Sequence, residues 1–274
     1  MPKKYEFVHS DTKIYSDQIT LTRIRALVDI PGVVCAGDLG GYLEHERNLS
    51  HEGHCWVGDD AMVFQRAKVY DHAVVRDQAS VSGSATIRES ACVTGNAWVH
   101  GRAVVNECAC VMGSSEVDGD TKVSGHACVS GNAKVTDTAT ICDYAAAAGD
   151  SVVSGDACIE DNAIVDGEAL VSGDIRVCGR AHLRANAIVS KMGDYLTIGP
   201  FDEENEGVSI YLDSERGVTV GYGGFSGSVD EFLESQESSA LASKGFPIAL
   251  VTPLVSSYFH GNRRQPAVRP TDAQ

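Results

Sequence analysis

A six-residue repeat runs without interruption from Ala61 to Met192 and restricts the possible folds more than any other feature of the chain. The first position of each hexad is small and usually alanine, the third is aliphatic except at Ala147, and the fifth is a turn residue, often glycine. The stretch 129–135, VSGNAKV, shows the pattern. A period this short and this regular predicts a coiled repeat architecture.

The spacing inside each hexad indicates a very short strand followed by a corner. The small and aliphatic positions are two residues apart, so they lie on the same side of a strand, and the turn positions that follow are rich in Gly, Asn, Asp and Ser. Such a strand buries its apolar side only by coiling, with three hexads to a turn and successive turns stacked. Roughly 22 complete hexads then predict about seven coils. A helix or a β-sandwich would not keep a period of six.

The repeats at 129–135 and 153–159 (VSGDACI) resemble the hexapeptide-repeat proteins with a left-handed parallel β-helix. The handedness is implied by this resemblance, since the spacing predicts only a coil. Within that class the chain is similar to the YdcK-like proteins of phages and prophages, a group that carries a transferase label. The similar segments outside the repeat are LTRIRAL at 21–27, AGDLGGYLE at 36–44, NLSHEG at 48–53, GFSG at 224–227 and DEF at 230–232.

The repeat divides the chain into four predicted segments: an N-terminal cap at 1–54, the hexapeptide-repeat β-helix at 55–192, a small α+β domain at 193–262 and a disordered tail at 263–274. The fold class is therefore mainly β. In the cap we predict strands at 4–8 and 19–28 and a turn at Asp38–Gly41. In the C-terminal domain we predict three strands with an acidic loop at 202–206, and a helix that a Ser228–Glu231 capping box opens and that ends near Ser238. A last apolar element at 246–259 is expected to be broken by Pro253.

Composition excludes several classes of partner. The formal net charge is −16 and the isoelectric point is near 4.8, which argues against nucleic acid and against anionic membrane surfaces. The sequence has no apolar run near 18 residues and no secretory signal, so we expect neither a membrane span nor export. Nine scattered cysteines favour reduced thiols in a cytoplasm, which would be the host cytosol for a phage protein.

The residues between the small and aliphatic positions point outwards, and one column of them is almost free of charge. Sorted at intervals of 18 residues, this column contains Val74, Cys92, Cys110, Cys128, Ala146 and Ile164, followed by His182. A contiguous apolar strip on a protein surface marks an interface. We therefore predict a homo-oligomer packed along this column. The resemblance favours a trimer, and a flat apolar face serves a dimer equally well.

The cysteines of this column could also suggest a metal site, together with the stacked pair Cys108 and His126. Stacked strands give a linear row of thiols and not a tetrahedron, and CxxC spacing is absent. The expectation from sequence is therefore that no metal is bound.

The resemblance also raises the question of catalysis, because well-known members of the β-helix class are acyltransferases that use acyl-CoA and a histidine base. The candidates here are His100, which shares a column with Ser82 and Asp118, and His126, each at a groove between subunits. However, the repeat contains no inserted loop that could close over a substrate, and there is no nucleophile or phosphate-binding motif.

The leading hypothesis is therefore a non-catalytic oligomeric β-helix scaffold or binding protein that needs no cofactor. It could hold a small ligand or a host protein between protomers. Two alternatives stay open: an acyltransferase that uses acyl-CoA, and a structural component of a virion.

Overall fold

The chain was analysed as a computed structural model that describes residues 3–16, 18–199, 207–222, 225–235, 242–243 and 248–259. The predicted acidic loop at 202–206 and the predicted tail at 263–274 lie outside these residues. The fold is mainly β, with a parallel β-solenoid between an N-terminal group of longer strands and a C-terminal antiparallel sheet with short helices.

The hexads form two-residue strands that stack into three parallel sheets, one on each side of the coil. The first sheet, here called the cysteine face, has eight strands: Trp56–Val57, Val74–Val75, Cys92–Val93, Cys110–Val111, Cys128–Val129, Ala146–Ala147, Ile164–Val165 and His182–Leu183. The second, the cap face, contains Met62–Val63, Ser80–Val81, Trp98–Val99, Glu116–Val117, Lys134–Val135, Val152–Val153, Leu170–Val171 and Ile188–Val189. The third, the lysine face, has seven strands: Lys68–Val69, Thr86–Ile87, Val104–Val105, Lys122–Val123, Thr140–Ile141, Cys158–Ile159 and Arg176–Val177.

The solenoid has about eight coils, so the prediction of about seven was one too low. The coil begins before the first alanine of the repeat, because Trp56–Val57 already pairs in parallel with Val74–Val75. The parallel stacking of the hexads is confirmed. The handedness of the coil and the predicted segment boundaries stay predictions.

The interior of the solenoid is an apolar column closed at both ends. The second residue of every two-residue strand is almost completely buried, and so are the alanines between the strands. Tyr5 and Ile24 from the N-terminal strands join this cluster at one end, and Tyr211 from the C-terminal sheet joins it at the other. Side chains from the flanking segments therefore plug the ends of a coil that would otherwise expose apolar surface.

The N-terminal segment consists of strands Tyr5–Ser16, Ile19–Ala26 and Leu39–Leu43 and a 3-10 helix at Glu46–Asn48. These three strands extend the cap face, in which Leu39–Leu43 pairs with Met62–Val63 of the first coil. The predicted turn at Asp38–Gly41 is wrong for this reason. Gly40 and Gly41 are needed for close packing: a Cβ on Gly41 would lie 2.4 Å from the carbonyl oxygen of Ala61.

The corners of the coil are held together by acidic side chains as well as by glycine. Eight acidic residues adopt a positive φ at corners, and each accepts a hydrogen bond from the backbone N–H of the residue 18 positions later: Asp59, Asp71, Asp77, Glu89, Glu107, Asp137, Asp143 and Asp161. Part of the negative charge of the chain is therefore used to connect neighbouring coils and does not indicate a cationic partner.

We expect Asp137→Ala to destabilise the protein by about 1 to 2 kcal/mol, because it removes one of these hydrogen bonds. The Oδ2 atom of Asp137 accepts from the N–H of Gly155 at 2.8 Å, and the residue has a φ of 63°. Asp137→Asn is the matched control, since asparagine tolerates this φ and keeps an acceptor oxygen. Urea unfolding midpoints would test the prediction, and equal midpoints for the two variants would contradict it.

The C-terminal segment contains strands Tyr195–Ile198, Val208–Asp213, Gly217–Tyr222 and Phe225–Ser228 in an antiparallel sheet. Ser228 and Glu231 form the predicted capping box, but the helix spans Val229–Glu234 and therefore ends before Ser238. A 3-10 turn at Ile248–Leu250 leads into a helix at Val251–Phe259. Pro253 does not break this helix, because it lies in the first turn, where a missing N–H costs little.

The strand Val208–Asp213 joins the C-terminal sheet to the solenoid. Ile210 packs in the small apolar cluster of the C-terminal segment, whereas Tyr211, on the other side of the strand, enters the solenoid core. The N–H of His182 donates to the Ser209 hydroxyl at 3.0 Å, and Ala187 forms an antiparallel bridge with Asp213. The sheet is thus fixed to the last coil by apolar and backbone contacts.

Candidate functional site

The six residues predicted as an interface lie in one straight column on the cysteine face. Parallel register pairs each of them with the next, from Val74–Cys92 through Cys110 and Cys128 to Ala146–Ile164. All six side chains are half-buried in the isolated chain. Whether a second copy covers them stays a prediction.

The middle of the cysteine face is uncharged on both sides of this column. Thr94, Met112, Ser130 and Ala148 flank it along one corner, and Cys108, His126 and Tyr144 flank it along the other. Met112 is 37% exposed and Tyr144 is 63% exposed, although both are large apolar or aromatic side chains. Such a patch on a chain with a net charge of −16 is suited to contact with another apolar surface.

The thiols of Cys92 and Cys110 form a coupled pair on this face. A hydrogen bond from the Cys110 thiol lowers the pKa of Cys92 to about 6, with help from the charge of Arg76 and against the effect of burial. The same hydrogen bond raises the pKa of Cys110. Cys92 is therefore a thiolate at neutral pH, and the neighbouring thiol donates to it.

Two clefts bound the cysteine face at its ends. The N-terminal cleft, of about 750 Å³, is formed where Val33, Val34 and Leu39 overhang Val74 and Cys92. The C-terminal cleft, of about 290 Å³, lies between the face and the C-terminal sheet, and it is lined by Tyr144, Ala146, Ile164, Arg180, His182, Arg184 and Tyr222 among others. Four of the six predicted interface residues thus also line a cleft.

Charge distinguishes the C-terminal cleft from its surroundings. Arg180, Arg184 and His182 bring two guanidinium groups and an imidazole to one cleft of a strongly acidic chain. The imidazole is oriented by Asp166, whose carboxylate lies 2.9 Å from its Nε2 atom. This arrangement favours a small anionic ligand with an apolar or aromatic part.

His100, the first candidate base, is held by two carboxylates and one aromatic ring. Its Nδ1 atom lies 2.9 Å from Asp118, as the shared column suggested, and its Nε2 atom lies 3.1 Å from Glu116. The ring also stacks on Trp98, with 4.1 Å between centroids. Both nitrogens therefore have acidic partners, and neither is directed towards a substrate.

His126, the second candidate, is exposed and stacks on Tyr144, with 4.9 Å between ring centroids and 8° between the planes. Its Cys108 neighbour on the preceding coil is also exposed. No carboxylate orients the ring of His126 among the contacts of the described residues. Neither His126 nor His100 lines the two clefts of the cysteine face or the cleft described next.

A further group of possible ligands lies where the lysine face meets the C-terminal sheet, and sequence analysis did not find it. The ligand atoms of Cys142, Cys158 and Glu160 lie within 4.8 Å of one another, and so do those of Glu160, Asp161 and Cys178. Cys142, Glu160 and Cys178 are 18 residues apart. Sorting the corner positions at that interval, as well as the outward positions, would have revealed the group.

Comparison with models of known protein families and with curated protein sequences finds no match to this chain. Among the described residues, no helix is long and apolar enough to cross a membrane. All nine cysteines lie in described residues, and each has a free thiol.

Proposed function

We propose that the protein is a non-catalytic β-helix scaffold that associates with itself through the cysteine face and binds a ligand or partner there. The observation that carries this proposal is the uncharged column of half-buried side chains from Val74 to Ile164, which runs from one cleft to the other. A flat parallel sheet can pack against a copy of itself without rearrangement, because its strands are already fixed by the coil.

The ligand proposed for the C-terminal cleft is a small anion. Arg180 and Arg184 supply positive charge, and the exposed ring of Tyr144 offers a stacking surface. A partner protein with an acidic segment would satisfy the same chemistry, and a host protein is the partner that a phage origin would imply. Kinship with the YdcK-like proteins of phages and a cytoplasmic location belong to this proposal. They are supported by the resemblance of the repeats and by the free thiols.

The acyltransferase alternative, with acyl-CoA as donor, is supported less well. It has the orientation of His100 by Asp118 in its favour. Against it, the second nitrogen of His100 contacts Glu116, and no loop interrupts the coil to enclose a substrate.

Native mass spectrometry of the protein, purified under reducing conditions, tests the proposal. We expect a mass that is a multiple of 29.0 kDa, with a small anionic molecule retained by the assembly. A 29.0 kDa monomer without a bound molecule would contradict it. Release of thiol from acetyl-CoA in the presence of amine or sugar acceptors, lost in His100→Ala or His126→Ala, would instead support the acyltransferase.

A further inference from the structure

Three side chains with metal-binding chemistry share one corner of the solenoid on successive coils. Cys142, Glu160 and Cys178 each follow directly after a strand of the lysine face: Thr140–Ile141, Cys158–Ile159 and Arg176–Val177. These strands pair in register, so the three residues form a column. Cys158 lies on the same coil as Glu160 and two residues before it, so its outward side chain points towards the same corner.

The distances in this corner suit a single ion. The Sγ atoms of Cys142 and Cys158 and a carboxylate oxygen of Glu160 all lie within 4.8 Å of one another. A tetrahedral zinc ion, with Zn–S near 2.3 Å and Zn–O near 2.1 Å, holds its ligand atoms roughly 3.5 to 3.8 Å apart. The gap of about 1 Å can be closed by rotation of the side chains, without movement of the coil.

The carboxylate of Glu160 is already oriented for this role. Its side chain is only 12% exposed, and Arg176 donates to both carboxylate oxygens, with 2.6 Å between Nη2 and Oε2. The Oε2 atom also lies 3.7 Å from the Cys158 sulfur. One oxygen can stay with Arg176 while Oε2 turns to the ion.

The thiols of this corner are in the opposite state to Cys92. Burial and the nearby charge of Asp143 raise the pKa of Cys142 to about 12, and burial and Glu160 raise the pKa of Cys158. Without a cation both thiols keep their protons, so they are poor nucleophiles. A divalent ion would supply the missing positive charge and displace both protons.

We propose that Cys142, Cys158 and Glu160 bind one Zn²⁺ ion, and that water or Cys178 fills the fourth position. Two thiolates and one carboxylate select zinc over Mg²⁺ or Ca²⁺, which prefer oxygen ligands. A cleft of about 870 Å³ beside the corner reaches Asp161 and Cys178, so the ion has a path from solvent. The site is separate from the cysteine face and does not depend on the proposed function.

Titration of the reduced full-length chain with Co²⁺, a spectroscopic substitute for Zn²⁺, tests this site. We expect one Co²⁺ per chain with a thiolate-to-cobalt charge-transfer band, and displacement of the cobalt by Zn²⁺. The double variant Cys142→Ser/Cys158→Ser should lose the band, and Glu160→Gln should weaken binding about tenfold or more. The matched control is Cys92→Ser/Cys110→Ser, which removes two stacked thiols from the cysteine face and should keep the band.

Three results would each overturn the site: no charge-transfer band with the unmodified chain, an unchanged band in Cys142→Ser/Cys158→Ser, or loss of the band in the control. Thermal melting of each variant in the absence of metal separates loss of ligands from loss of fold. Both substituted positions are half-buried on the outside of the coil, so we expect melting close to that of the unmodified chain.

Discussion

Val111→Asp is expected to unfold the solenoid. Val111 is completely buried and stacks between Val93 and Val129 in the interior column. A carboxylate at this position would have no hydrogen-bond partner in an all-aliphatic interior, and the cost is about 5 kcal/mol or more. Since each coil is stabilised only by its two neighbours, a fault in the middle separates the two halves. Circular dichroism and urea unfolding would measure the loss.

The adjacent residue gives the matched control for this substitution. Cys110 belongs to the same two-residue strand but points outwards, so Cys110→Asp should leave the unfolding midpoint within about 1 kcal/mol of the unmodified chain. Equal destabilisation by the two substitutions would contradict the assignment of inside and outside on this strand.

Cys110→Asp is instead expected to disrupt self-association. Cys110 lies at the centre of the uncharged column, between Cys92 and Cys128. In a symmetric assembly the new charge would be buried in every copy, with no basic residue among its neighbours on the column. The expected cost is about 2 to 5 kcal/mol, or roughly a 30-fold to several-thousand-fold weaker association. Sedimentation velocity over a range of concentrations would measure the shift towards monomer.

The control for this second prediction is Val104→Asp, which places the same charge on an outward position of the lysine face. Val104 pairs with Thr86 and Lys122, so its surroundings are already polar. We expect the sedimentation of this variant to match that of the unmodified chain. If Val104→Asp dissociated the assembly and Cys110→Asp did not, the interface would lie on the lysine face.

The sequence predicted the solenoid well because one short period fixes both the strands and their register. Once residues 18 apart are known to stack, the neighbours of Cys110 or of Val111 follow directly. The same rule placed Asp118 beside His100. Glu116 was missed because its side chain reaches back across the corner to the same ring, which depends on rotamers and not on register.

The ends of the coil could not be predicted in the same way, because they do not repeat. Gly40 and Gly41 read as turn residues, whereas their role is to let a strand pack against Trp56 and Ala61. Nothing in the local sequence indicates that Tyr211, and not Ile210, enters the solenoid core. The clefts of the cysteine face were missed for the same reason, since overhanging non-repeat segments form one wall of each.

The most direct test of a covered cysteine face is the rate at which Cys92 reacts with iodoacetamide at pH 7.5, measured by peptide mapping. With a pKa near 6, Cys92 is a thiolate at this pH and should react rapidly wherever the reagent reaches it. Exposed Cys35 and buried Cys55 provide the internal references for full access and no access. If the face is buried against another copy, Cys92 will be protected at high protein concentration and will become reactive on dilution or in Cys110→Asp. Rapid labelling of Cys92 at every concentration would show that the face is open and would contradict the proposed interface.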